Sequence, residues 1–240
     1  MSFSIPELQG YFGGKGGSGT YQNIINLIPP HDVFVVPFLG HCAIIRNKKF
    51  AALTYASDID PFVIDSWTNY AKKYKDGYLI DGAYFQFVNS GWEYWNCIKD
   101  SGNHFFYFDP PYPHSTRKSN HRYKFEMTDD YHITLLKKAK SYKKANVMIS
   151  SYKNPLYDEH LEGWNTHSFP SMTRNGIAIE TVYYNYDTPD KLHDYSYFGK
   201  NYKNREHFKL KRERLVNRFL KMTAVEQNFY MEALNEVVTK

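Results

Sequence analysis

Asp109-Pro110-Pro111-Tyr112 stands directly after an apolar run, Phe105-Phe106-Tyr107-Phe108, and its residue types suit one chemistry. The exocyclic amine of a nucleobase is a poor nucleophile because its lone pair is delocalised into the ring. A carboxylate and a backbone carbonyl that accept its two N–H groups localise that lone pair and aim it at an electrophilic carbon. Asp109 and the carbonyl of Pro110 can form this pair. The prolines stiffen the turn and restrict the residue before them, which holds both acceptors in place. Tyr112 offers a ring on which a base swung out of a duplex can stack. The plainer reading is a proline-rich turn with a surface aspartate. Its place at a strand end favours the chemical reading.

The elements that must position this turn can be traced along the chain. Val33-Phe34-Val35-Val36-Pro37-Phe38 is a continuous apolar run that fits a buried parallel strand. Ile24, Ile25, Leu27 and Ile28 precede it as a short helix stopped by Pro29-Pro30. A second strand is expected from Leu53 to Ser57, followed by a helix through Trp67 and Tyr70, and a weaker third strand near Tyr78 to Ile80. A helix is predicted from Phe85 to Ile98. The catalytic strand comes next, then a polar basic loop from Pro113 to Lys124, a helix from Thr128 to Lys143, and a fifth strand at Val147-Met148-Ile149. Phe169 and the stretch from Ile177 to Tyr184 read as two late, antiparallel strands. Alternating strands and helices imply an open, mostly parallel α/β sheet of the Rossmann-like type, with ligands at the carboxyl ends of the strands. The composition shifts from Lys203, where a basic amphipathic helix and a final helix from Ala224 to Val238 are expected. The division implied is a catalytic domain over 1–200 and a helical extension over 201–240 packed on it.

Two further stretches have the character of ligand-binding turns. Asp58-Ile59-Asp60-Pro61 ends the second strand, where an acidic residue is the usual partner of ribose hydroxyls in dinucleotide-type folds. Asp58 would serve equally as a helix N-cap. Gly40 after the first strand lets backbone approach a ligand closely. The Gly13-Gly14-Lys15-Gly16-Gly17-Ser18-Gly19 segment is not a phosphate-binding Walker loop, which requires Ser or Thr straight after the Lys and a strand before the loop. A flexible terminal loop is its plain reading.

Composition sets outer bounds. With 240 residues and 42% hydrophobic content the chain is globular. A net charge of +5 is compatible with a polyanionic partner, and 22 Tyr among basic residues suit base stacking as well as an ordinary aromatic core. Cys42 and Cys97 have neither metal-ligand nor disulfide-framework spacing, so no metal site is expected. The N-terminus lacks a signal-peptide pattern and no apolar run approaches a membrane span. A cytoplasmic location and a monomer or weak dimer are the corresponding expectations.

Taken together, these motifs resemble the D12-class, Dam-like N6-adenine DNA methyltransferases, in particular the short phage-type members, and the resemblance runs in order along nearly the whole chain. Tyr11-Phe12-Gly13-Gly14-Lys15 resembles the family's N-terminal element that lies against bound S-adenosylmethionine (SAM). Pro37-Phe38-Leu39-Gly40 resembles its SAM-binding turn, and Asp58-Ile59 its ribose-binding strand end. Asp81-Gly82-Ala83 resembles a Gly-Asp-Ala element with two residues exchanged, which would bring Asp81 to the cofactor's adenine. Thr173-Arg174-Asn175-Gly176, Glu180, Asn185-Tyr186 and the basic tail from Phe198-Gly199 also resemble phage-type members. The resemblance implies a SAM-dependent methyltransferase fold, SAM as cofactor and double-stranded DNA as partner. It also implies direct transfer to adenine N6, with Asp109, Pro110 and Tyr112 as the catalytic element and a role in DNA modification, in restriction–modification or in protection of phage DNA.

The resemblance breaks at the first turn. The family reads Glu-Pro-Phe-x-Gly-x-Gly there, whereas this chain has Val36 for the acid and His41-Cys42 in place of a small residue and the second Gly. SAM then binds in a shifted way, with His41 supplying a polar contact, or the protein is a DNA- or protein-binding pseudoenzyme that has lost SAM. The short stretch between Asp58 and Asp109 is largely consumed by the strand and helix the fold requires, a βαβ unit taking roughly thirty residues, so a separate recognition domain is absent or reduced. DNA contacts are therefore expected from the loop after the catalytic turn, through Arg117, Lys118, Arg122 and Lys124, and from the tail helix, although charged runs are more often solvated faces. An amine-directed enzyme acting on cytosine N4 or on RNA is the remaining alternative. Asp109 favours adenine because N4 enzymes more often carry Ser at that position, and neither cysteine has the context of a C5-cytosine nucleophile.

Overall fold

The computed structural model describes residues 5–11, 13–17, 19–72, 79–80, 82–117, 123–173 and 176–238. Its contacts divide the chain into two compact units, 1–195 and 196–240.

In the first unit, α1 (Thr20–Ile25) leads to β1 (Val33–Val36), α2 (Ala43–Asn47), β2 (Leu53–Asp58) and α3 (Pro61–Ala71). The hairpin β3 (Leu79–Ile80) and β4 (Ala83–Asn89) follows, then a 3-10 turn at Trp92–Cys97 and β5 (His104–Phe108). After the turn at Asp109-Pro110-Pro111-Tyr112 come α4 (Asp129–Ser141), β6 (Asn146–Ser151), α5 (Pro155–His160), β7 (Asn165–Thr173) and β8 (Gly176–Tyr184). The strands form one sheet in the order β3-β4-β2-β1-β5-β6-β8-β7. Neighbours from β4 through β6 are parallel, while β3, β8 and β7 pair antiparallel to their neighbours. This is the open, mostly parallel Rossmann-like α/β architecture expected from the sequence, with the short β3 added at one edge. Strand order reverses at β1, so the carboxyl ends of β1 and β5 flank the crevice where such sheets bind ligands.

The sheet is buried on both faces, which accounts for the continuous apolar runs of β1, β5 and β6. One side packs Phe106, Phe108, Val147 and Ile149 with Trp95, Leu135, Leu136 and Tyr157. Caps define the helix starts: Asp60 accepts from the Phe62 N–H at α3, Thr128 from Tyr131 at α4, and Asn154 from Tyr157 at α5.

One predicted element is corrected. Phe85 to Ile98 is not a helix. Its first part is β4, parallel to β2 from Leu53↔Tyr84 to Asp58↔Asn89, and the rest is the 3-10 turn. Ala83 and Phe85 are buried and Tyr84 and Gln86 exposed, a two-residue period that a cluster of aromatics obscured. The third parallel strand is thus β4, and the stretch expected as that strand supplies only the edge strand β3.

The second unit contains α6 (Tyr202–Leu220), capped by Asn201, and α7 (Ala224–Val238). Thr223 and Glu226 cap the latter reciprocally: the Thr223 N–H donates to Glu226 Oε2 at 2.8 Å and the Glu226 N–H to Thr223 Oγ1 at 3.3 Å. The division between the units falls after Tyr195, slightly earlier than the composition shift suggested.

Candidate active site

β5 delivers Asp109 to the crevice, where the chain's own lysine meets it. Lys15 Nζ lies 2.8 Å from Asp109 Oδ1 and 3.6 Å from Glu180 Oε1. It also sits 4.5 Å from the centre of the Tyr112 ring, and the Tyr112 hydroxyl donates to Glu180. The side chains are nearly buried, at 8% for Lys15, 12% for Asp109 and 5% for Glu180. Burial pushes the Asp109 and Glu180 carboxyls up, and Lys15 pulls each back. Burial alone would lower Lys15, but Asp109 and Glu180 together hold it above its ordinary value. Lys15 reaches this position with φ 55, preceded by Gly13 at φ 95. The backbone of the glycine segment is thus bent to insert a cation between two acids.

These contacts resemble what an aromatic amine would require: a hydrogen bond to Asp109 and a place over the Tyr112 ring. Lys15 covers the ring face expected to receive a base, and Tyr152 meets the same ring edge-on at 4.9 Å. Lys15, expected beside a cofactor, lies among the side chains of Asp109, Glu180 and Tyr112.

A cavity opens beside this cluster. Tyr11, Gly13, Gly14, Pro37, Phe38, Gly40, Asp58 and Ile59 all line it, as do Asp109 and Pro110. The turn after β1 is tightly clamped. Gly40 has φ 42, its N–H donates to Asp58 Oδ2 at 2.8 Å, and its carbonyl accepts the Trp67 indole N–H at 2.8 Å. Asp58 Oδ1 also accepts from the Asp60 N–H at 2.9 Å. Asp58 therefore braces two turns against each other, and the N-cap role weighed for it belongs to Asp60.

Several lining groups lie outside the sequence motifs. Gly91, Trp92 and Glu93 follow β4 and form one wall; Tyr123, Phe125, Met127 and Tyr131 form another. The Trp92 indole nitrogen and His41 Nε2 are buried and make no hydrogen bond among the described residues. Only the correct placement of β4 identifies the first wall. Glu180 was visible as a late motif, but only β8 pairing beside β6 brings it to Tyr112.

The expected DNA contacts fare unevenly. Arg117 is turned inward, its side chain 4% exposed, in a fork with Glu126 at 2.6 and 3.1 Å. Its guanidinium is not presented to a phosphate in this conformation, because a nearby acid offers a buried partner that sequence spacing does not reveal. Lys124 is exposed and paired with Asp60 at 2.9 Å. Asp81, Lys118 and Arg122, with Phe12, Arg174 and Asn175 of the wider motifs, lie outside the described residues.

No curated protein matches the sequence. Among solved structures, the chain is similar to magnesium protoporphyrin IX methyltransferase from Synechocystis PCC 6803 with bound SAM, at 13% identity and TM-score 0.46, covering 78% of this chain and 87% of that one. It is also similar to an rRNA methylase from Streptococcus thermophilus, at 9% identity and TM-score 0.43, covering 68% and 93%. The family model for D12 class N6 adenine-specific DNA methyltransferases matches residues 86–175. That stretch begins within β4 and takes in Asp109-Pro110-Pro111-Tyr112, α4, β6, α5 and β7, so the likeness to this family covers the turn that holds Asp109.

Proposed function

We propose that the chain transfers a methyl group from SAM to N6 of adenine in DNA, and that the target amine enters the position held by Lys15. The observation that carries this reading is the buried cluster of Lys15, Asp109, Glu180 and Tyr112 beside the crevice cavity.

Methyl transfer to an amine places positive charge on nitrogen, which afterwards loses a proton. A site that already holds an ammonium between two carboxylates and against an aromatic face has the electrostatics such a nitrogen needs. Asp109 and the Pro110 carbonyl orient the amine, Tyr112 supports the base plane, and Glu180 fixes the Tyr112 hydroxyl. Lys15 must withdraw for the base to enter, and by leaving it frees the Asp109 carboxylate. The base has to leave its stack to reach so buried a group. Direct attack then needs no covalent enzyme intermediate.

The cavity suits SAM, which when bound supplies an electrophilic methyl group on a sulfonium. Gly40 and Gly13 provide the positive-φ backbone of a close-fitting cradle. Asp58 keeps carboxylate lone pairs for ribose hydroxyls beyond its two backbone bonds, and the orphaned Trp92 N–H is a donor that an adenine ring nitrogen can satisfy. The turn is held by Asp58 and Trp67 with Val36, His41 and Cys42 in place, which favours this reading over the pseudoenzyme alternative. On DNA, Lys124 remains the phosphate contact that its exposure supports, and the basic α6 is a second surface of this kind.

The test is transfer of labelled methyl from SAM to unmethylated duplex DNA, with digestion to identify the methylated nucleoside. N6-methyladenine is expected, and Asp109→Ala should reduce transfer by roughly 10²–10³-fold or more. Undiminished transfer by that variant sinks the mechanism. N4-methylcytosine, or transfer to RNA alone, would reassign the substrate.

A further inference from the structure

The motif break at the first turn leaves a chemical gap. Val36, where the family has an acid, is fully buried at the end of β1 and does not line the cavity. The other two departures from that motif, His41 and Cys42, both do. Cys42 is a buried neutral thiol, its pKa pushed up to about 11 by burial, and gives a cofactor little to hold.

His41 is different. Its Nε2 is buried and makes no hydrogen bond among the described residues, although the residue forms part of the cavity wall. A buried imidazole nitrogen without a partner costs free energy unless something else satisfies it. Burial first, and then the Arg46 charge, lower its pKa to about 4, so near neutral pH the ring is uncharged and can carry a donor N–H. The same Arg46 makes the surroundings favourable to an anion. Position narrows the ligand further. A Cβ built on Gly14 would lie 3.3 Å from His41 Cβ, and the Ala43 N–H donates to the Gly14 carbonyl at 3.0 Å. Gly14 precedes Lys15, the residue that reaches Asp109. His41 is therefore on the reacting side of the cavity, whereas Asp58, Ile59 and Trp92 belong to other elements, β2 and the β4 turn.

We propose that His41 Nε2 donates a hydrogen bond to the carboxylate at the amino-acid end of the cofactor. This rests on the SAM reading above and assigns one residue of this chain to one end of that molecule.

The experiment is calorimetric titration of the full chain with S-adenosylhomocysteine and with 5′-methylthioadenosine, which keeps adenosine and thioether but lacks the amino-acid end. In His41→Ala, homocysteine-adduct affinity should fall by about tenfold or more, the order contributed by a hydrogen bond to an ionised group. Methylthioadenosine affinity should stay within about twofold by the same reasoning, and its binding certifies that the variant is folded. His41→Gln, which keeps an N–H donor, should recover part of the loss. Equal losses for both ligands in His41→Gln, or no loss for either in His41→Ala, overturn the assignment. Wild-type protein that binds neither ligand overturns the SAM reading itself.

Discussion

Lys15 and Asp109 show at the scale of single residues how a buried ion pair serves a site. Two carboxyls and one ammonium are held nearly out of water, an arrangement that is stable only while the cation is present. Replacing it in Lys15→Met leaves Asp109 and Glu180 facing each other without compensation, so both carboxyls rise further. A carboxyl whose folded pKa exceeds its unfolded value binds protons preferentially in the folded state, and stability then grows as pH falls. The variant should therefore be destabilised by about 3–5 kcal/mol at pH 8, with the deficit shrinking toward pH 5, as urea unfolding at the two values can measure. Because the proposed transfer needs ionised Asp109, the acid limb of its kcat/KM profile should also shift to higher pH. A deficit independent of pH would mean that Lys15 contributes packing rather than charge. Of this cluster the sequence displays Asp109 and Tyr112 plainly, because one turn holds them both. Lys15 is legible only as part of a glycine segment, and its pairing with Asp109 depends on φ 55, which no spacing rule supplies for a non-glycine residue.

At the scale of elements, the site depends on turns that lock to one another. The glycine segment is tied to α2 through the Gly14 carbonyl, and the β1 turn is tied to β2 and α3 through Asp58 and Trp67. A Cβ on Gly14 would approach the His41 carbonyl oxygen at 2.8 Å, a backbone atom that cannot swing aside. Gly14→Ala should thus cost about 1–3 kcal/mol of stability and also lower S-adenosylhomocysteine affinity, because the segment can relieve the contact only by moving the cavity wall. Thermal unfolding and calorimetry on the same sample measure the two effects, and unaltered affinity would show that the segment moves independently of the cavity. The strands β1, β5 and β6 were readable because burial on both faces leaves continuous apolar runs. β4 was not, since its alternation of Tyr84, Phe85, Gln86 and Phe87 places aromatics on both faces, and aromatics also suit a helix. With β4 went the cavity wall at Gly91 to Glu93. The inward turn of Arg117 was equally hidden, because a basic loop looks alike whether its charges face water or an acid such as Glu126.

Across the whole molecule, the first unit holds several histidines that are uncharged in the fold. His132 is fully buried, its Nδ1 3.0 Å from the Tyr157 hydroxyl, and burial first lowers its pKa to about 4. His193 stacks on His31 with ring centres 3.9 Å apart. Burial, then Lys48, lowers His193 to about 4 and His31 further still. Lys48 itself, buried and 3.1 Å from His31 Nε2, falls to about 7, mainly through burial. The sign follows from linkage. A histidine with a folded pKa below its unfolded value of about 6.5 takes up a proton on unfolding as the pH drops beneath that value. Its neutral burial therefore supports the fold fully only above pH 6.5, and the support is lost as pH falls toward 4. Buried carboxyls such as Asp109 and Glu180 act in the opposite direction, so the net slope of the wild type mixes both. One variant separates them. In His132→Leu the carboxyls are unchanged and only the imidazole is removed, so the difference in stability between the two proteins isolates His132. At 1.36 kcal/mol per pH unit, wild type should lose roughly 2 kcal/mol relative to the variant between pH 6.5 and 5. For a chain of this size that is about 4–8 °C in relative melting temperature. Parallel melting curves over that range would mean that His132 titrates in the folded protein as it does in the unfolded chain, and that burial at α4 does not hold it neutral.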